Sequence, residues 1–126
     1  MQILHPMLAL AALTFSVLLL IPIRRFRAGA AGQVSYDDFR YGESAQVPPE
    51  VSLPNRNMMN LLELPVLFYV ACLTYFAAGR TDEWALLLAW AYVGLRIAHS
   101  AIHLTYNRVR HRLVAFAASN VVLVML

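Results

Sequence analysis

Lysine is absent from this chain of 126 residues, and all ten of its basic residues are arginine. Arginine presents a planar fork that grips carboxylates through two hydrogen bonds, whereas lysine is a point charge. The cations therefore suit recognition of planar anions. Charge of either sign is scarce, at 13% of residues against 60% hydrophobic, with a mean hydropathy of +0.59. A soluble domain of this size could not cover so much apolar surface, so lipid has to. Cysteine is nearly missing too. Cys72 stands alone in an apolar run, which excludes an intrachain disulfide and suits an inert packing thiol. Any thiol chemistry would need a thiol carried by a ligand. Met1–Pro6 has no Arg or Lys, so the positive n-region of a secretory signal is lacking and the first apolar run reads as a retained span. No repeat, low-complexity tract or nucleic-acid module accompanies the basic pI, which membrane flanks explain better.

What is present is four apolar runs. They are Pro6–Ile23, ended by Arg24-Arg25-Phe26-Arg27; Met58–Ala78; Trp84–Tyr106; and Leu113–Leu126, which reaches spanning length if its helix begins near Arg108. A helix crosses a hydrocarbon core of roughly 30 Å in about 20 residues. The expected fold is all-α: one integral-membrane, four-helix domain over 1–126 with up-down topology, spans near 6–23, 58–78, 84–106 and 109–126, and a long loop over 24–57. Arg24, Arg25, Arg27, Arg40 and Arg56 precede the second span, and Arg108, Arg110 and Arg112 follow the third. The middle loop has Arg80 alone with Asp82 and Glu83. This bias places loops one and three in the cytoplasm and both termini outside. Trp84, Tyr75, Phe76 and Tyr106 fall near span ends, as an aromatic belt requires. In loop one, Tyr36-Asp-Asp-Phe-Arg-Tyr41 mixes aromatic and charged residues, which suits either a segment packed over a site or an ordinary solvated loop.

Two ionisable residues, Glu63 and Arg96, lie within stretches that belong in lipid. Each costs about 2.5–3.5 kcal/mol near mid-bilayer and so needs a partner, a wet cavity or a function. Arg56, Asn60 and Glu63 are spaced i, i+4, i+7, and Arg96, His99 and His103 are spaced i, i+3, i+7, one helix face each. Glu63 lies about 10 Å in from Arg56 along its axis, and His103, His99 and Arg96 lie about 6, 12 and 16 Å from the same edge on the antiparallel neighbour. One polar cluster in the cytoplasmic half is expected. It admits three readings. Glu63 and Arg96 can form a buried structural ion pair that fixes helix register. Glu63, His99 and His103 can form a two-histidine, one-carboxylate metal site, although Arg96 and Arg56 would repel a cation. Or the cluster can hold an anionic polar ligand, carboxylates on Arg, an ammonium on Glu63, and the rest on Asn60 and His. Glutathione carries such groups, and Arg112, at the start of the fourth helix, would favour its thiolate.

The segments RNMMNLLELPVLFY (Arg56–Tyr69) and RIAHSAIHLTYNRVRHRLVAF (Arg96–Phe116), with the four-span pattern, resemble membrane-associated proteins in eicosanoid and glutathione metabolism. The likeness covers essentially the whole length. It implies a homotrimer that binds glutathione in clefts between subunits near the cytoplasmic face. By position, Arg56, Asn60, Glu63 and His99 are implied ligand contacts, Arg24 or Arg25 the first-helix arginine that holds a carboxylate, Arg96 the partner of Glu63, and Arg112 the catalytic residue; His103, on the polar face of its helix, and Arg108, at the mouth, are expected to join the ligand contacts. The chain departs from the pattern at His103, where better-studied members have Tyr, and at Phe116, where some have a second Tyr. The implied activity is glutathione transfer to hydrophobic electrophiles, or peroxidase action on lipid hydroperoxides, in a bacterial inner membrane. A non-catalytic scaffold or lipid-binding protein of the same fold is the alternative, and a small proton-coupled exporter centred on Glu63 a further one.

Overall fold

The computed structural model describes residues 2–126. Among them the chain is all helical: α1 (Leu4–Ala30), a 3-10 turn (Tyr36–Phe39), α2 (Pro49–Leu62), α3 (Pro65–Ala78), α4 (Glu83–Leu104) and α5 (Val109–Met125). The segment Pro49–Ala78, α1 and α4 are each long and apolar enough to cross a membrane. α5, with 17 residues, reaches about 26 Å. The protein is an integral-membrane helical bundle.

α1 does not stop at Arg24. It runs on through the basic cluster to Ala30, so loop one shrinks from the expected 24–57 to residues 31–48. Arginine is a good helix former, and positive charge near a helix C-terminus complements the macrodipole. At the far side of that loop, Pro49 opens α2, as a residue with fixed φ and no N–H to satisfy can. Pro54 sits inside α2 and cannot donate to the carbonyl of Glu50. Arg24 supplies the missing donor: its Nη1 bonds Glu50 O at 2.8 Å and ties the end of α1 to the start of α2.

Pro65 likewise cannot donate to Leu61, and the long segment breaks just before it. Glu63 takes φ −87° and ψ −102°, outside the helical region, and α3 restarts at Pro65. α3 ends at Gly79, whose φ of +63° closes the turn with Gly79 N–H on Phe76 O and Arg80 N–H on Tyr75 O. That left-handed conformation is one a Cβ disfavours. Asp82 then caps α4, its Oδ1 accepting from Ala85 N–H at 2.7 Å.

Ile3, Leu10 and Val17 of the first segment pack on Met58, Leu61, Phe68 and Cys72, and on Ala89, Tyr92 and Val93 of α4. The Phe68 and Tyr92 rings stack at 4.6 Å. α5 lies outermost and buries only Ala115 and Ser119. Phe15, Leu19, Leu87, Trp90, Val114 and Val121 point outward, a coat that only lipid or another subunit covers. A smaller core of Ala28, Val47 and Val51 roots loop one on α1 and α2. Within that loop Asp38 accepts from Ser35 N–H at 2.8 Å and from Ser44 Oγ at 2.8 Å. The Ser35 amide first, then the Ser44 hydroxyl, hold its carboxyl below the usual range. Because the folded value is depressed, this clamp is at full strength above the ordinary carboxylate range and fades as pH falls below about 4.

Asp82→Ala should lower unfolding stability by about 1 kcal/mol, and Asp82→Ser should recover most of it. Thermal unfolding in detergent, followed by circular dichroism, measures the difference; equal melting of all three proteins would remove the cap from the account.

Candidate functional site

The polar face of α4 is turned inward. Tyr92, Arg96, His99, Ser100 and His103 are all buried, at spacings that keep them on one side of a helix. Arg96 is 0% exposed. Its Nη2 donates to Asn60 Oδ1 at 2.9 Å and, at 3.4 Å, to Asn60 O, a carbonyl beside the helix break. A broken membrane helix leaves such carbonyls to be satisfied by neighbours. The remaining nitrogens of Arg96, Nε and Nη1, are buried without a protein partner, and its guanidinium lies 5.9 Å from the Phe116 ring. His99 is 5.9 Å from the same ring and 5.8 Å from His103.

α5 closes the other wall. Arg112 is half-buried and lines a cleft of about 200 Å3 with Asn60, His99, Val109, Leu113 and Phe116. What aims it is the preceding turn. Asn107 adopts a left-handed φ of 49°, its N–H closes the end of α4 on Ile102 O at 2.8 Å, and its Oδ1 accepts from Arg112 Nη1 at 2.9 Å. Asparagine is among the few residues with a side chain that tolerate that conformation. The cleft thus has two arginines within or beside it and no carboxylate in its lining. It can accept an anion and offer hydrogen bonds from an amide and an imidazole.

Of the expected ligand residues, Asn60, His99 and Arg112 meet in this cleft, with Arg96 directly behind Asn60. His103 is buried one turn further along α4 and does not line it. The rest go elsewhere. Arg24 is engaged with the Glu50 carbonyl, and Arg108 is exposed at the start of α5. Arg56 and Glu63 are exposed on the outer side of the second segment. The expected Glu63–Arg96 ion pair is not made within the protomer: the only ion pair among the described residues is Arg25–Glu43, at 3.2 Å. The break carries Glu63 out of line with α4 and leaves Asn60 as the acceptor. For the same reason Glu63 is not gathered with His99 and His103 among the described residues.

Two residues of the cluster have no counterpart among the expected contacts. Asn57 is fully buried, its Oδ1 accepting from Ser100 Oγ at 3.2 Å and its Nδ2 unpartnered. It lies on the stripe Pro54, Asn57, Met58, Leu61, and that apolar period is the signal that finds it. Asn107 is the other, and only its bond to Arg112 reveals it.

The MAPEG family model matches the chain over residues 3–126. Neither curated proteins nor solved structures gave a match.

Asn60→Leu strands the Arg96 guanidinium and should destabilise the bundle by about 3 kcal/mol or more, whereas the double replacement Asn60→Leu with Arg96→Met should recover much of the loss. Melting temperatures of the three proteins in one detergent decide it; additive losses would mean that the two side chains are not coupled.

Proposed function

The chain belongs to the MAPEG family, and from that premise we propose that it is a homotrimeric, glutathione-dependent transferase or peroxidase for hydrophobic electrophiles or lipid hydroperoxides. The observation that carries the reading is the buried Arg96 guanidinium with two unpartnered nitrogens, set behind a cleft that holds Arg112 and lacks a carboxylate. A buried charge without a counterion is costly, by several kcal/mol. An anion arriving in the cleft relieves that cost, and a tripeptide with two carboxylates and a thiol answers the donors present.

The proposed roles follow from position. Arg112, fixed by Asn107, stands where a guanidinium stabilises a thiolate over a thiol. Asn60 and His99 orient the peptide by hydrogen bonds, and Arg96 holds Asn60 in place while adding positive potential. Phe116 and Leu113 keep that wall of the cleft apolar. Glutathione would supply the nucleophilic sulfur, and the second substrate would arrive through the bilayer.

A cleft of about 200 Å3 is smaller than the roughly 300–1,000 Å3 that usually encloses a small ligand. This favours a site completed by a second copy. The exposed charges of Arg56 and Glu63 favour the same assembly, because ionisable groups in a span face protein or water rather than lipid. Around them Met59, Leu62, Val66 and Val70 form an exposed apolar seam fit for self-association. The reading places loops one and three on the cytoplasmic side of a bacterial inner membrane.

In proteoliposomes, Arg112→Ala should abolish conjugation of a chlorodinitrobenzene-type electrophile while retaining glutathione binding by calorimetry; an unchanged rate would take the thiolate role from Arg112. Glutathione at a hundred times its Kd should stabilise the wild-type protein by about 2.7 kcal/mol. Leu62→Cys should cross-link between copies under mild oxidation, with buried Cys72 silent in the parent; a chain that stays monomeric would refute the shared-site geometry.

A further inference from the structure

A second and larger cavity lies away from the polar cleft, beside the last turns of α1. It measures about 680 Å3, within the range that holds small ligands, and shares no lining residue with the cleft. Ile21 and Phe26 of α1 form one wall, and Val34 and Phe39 of loop one the other. Gly29 lies on the α1 side, and a Cβ built there would meet nothing within 4 Å, so the space beside the helix is open. The loop wall is fixed rather than draped: Asp38 is bonded to Ser35 and Ser44, and Phe39 packs on the Ala28–Val47–Val51 core.

The cavity carries a single charged residue. Arg25 lines it, with its guanidinium 4.5 Å from the Phe39 ring, Nη2 on Glu43 at 3.2 Å, and Nε buried without a partner. Arg24 and Arg27 flank it in sequence, and Asp37, Asp38 and Glu43 lie on the facing loop, so Arg25 is the cationic group that the cavity itself offers. On the preceding turns of α1, towards the middle of the span, Leu18, Leu19 and Ile23 face outward, residues that belong against acyl chains. The apolar lining of the cavity and this lipid-facing stretch thus lie on one helix, and a lipid tail suits both. Its headgroup would then lie at the depth of Arg25.

We propose that this cavity binds one anionic phospholipid, with an acyl chain between Phe26 and Phe39 and its phosphate on Arg25. Basic pockets at the ends of membrane helices recognise lipid headgroups in this way, by a charge-assisted hydrogen bond added to apolar burial. Glu43 competes with the phosphate for the same guanidinium. That competition separates a built site from the general attraction of basic helix ends for anionic lipid, since the latter would treat Arg25 and Arg27 alike.

The test is native mass spectrometry of the full-length protein from detergent doped with phosphatidylglycerol, phosphatidylcholine or oleate. The expected result is one retained phosphatidylglycerol per chain in preference to phosphatidylcholine. Arg25→Gln should weaken retention about tenfold, Glu43→Gln should strengthen it, and Arg27→Gln should leave it within about twofold. Gly29→Leu fills the cavity with a better helix former and should remove the bound lipid without lowering the melting temperature. It is the independent arm, because Arg25→Gln also removes the Glu43 bridge. Equal retention of phosphatidylcholine, equal losses in Arg25→Gln and Arg27→Gln, unchanged retention in Gly29→Leu, or displacement of phosphatidylglycerol by oleate would each overturn the proposal.

Discussion

The bond between Arg96 and Asn60 is the constraint on which the bundle turns. A guanidinium with no exposed surface cannot be left to lipid, and the acceptors it finds are on a helix interrupted by a proline. Pro65 deprives Leu61 of a donor, Glu63 leaves the helical region, and the carbonyl of Asn60 comes within reach of α4. Break and charge thus answer one another. An unbroken segment would close its own hydrogen bonds there and offer Arg96 only a side chain, and α4 without Arg96 would leave the break to water or to nothing.

The same logic of withheld and replaced hydrogen bonds recurs at the loop-one end. Pro54 frees the Glu50 carbonyl, and Arg24 takes it. At the loop-one end an arginine takes the very carbonyl that a proline frees, and at the break Arg96 binds Asn60, one residue before the Leu61 carbonyl that Pro65 leaves without its helical donor; together these bonds tie α1 to α2 and α2 to α4. Arginine suits this task because its several donors are spread over a rigid plane. The acidic residue expected to share it, Glu63, is turned to the outside of the protomer, where the charge has to be met by something other than α4.

The inward face of α4 was legible from spacing alone, because no proline breaks the helix between Tyr92 and His103, Gly94 is carried within it, and the polar residues repeat with the helical period. The second segment was harder. Arg56, Asn60 and Glu63 do lie at helical spacing, but spacing says which residues share a side and not where that side points. The apolar stripe through Pro54, Met58 and Leu61 carried the direction, and it places Asn57 inward and Arg56 outward. Helix ends are hidden in the sequence for a related reason. A run of arginines looks like a membrane boundary, yet arginine is at home in a helix, so α1 continues to Ala30 as helix beyond the stretch of apolar sequence. The anchoring of Arg112 by Asn107 was not legible at all, since it depends on a single left-handed backbone angle at a turn.

The tight connector from Gly79 to Asp82 has a consequence for how the protein is made. With only four residues between them, α3 and α4 have no slack to separate. Such a connector suits insertion of the two as one antiparallel hairpin. In a hairpin inserted whole, the buried charge of α4 enters hydrocarbon beside the segment, Pro49–Ala78, that carries its acceptor Asn60.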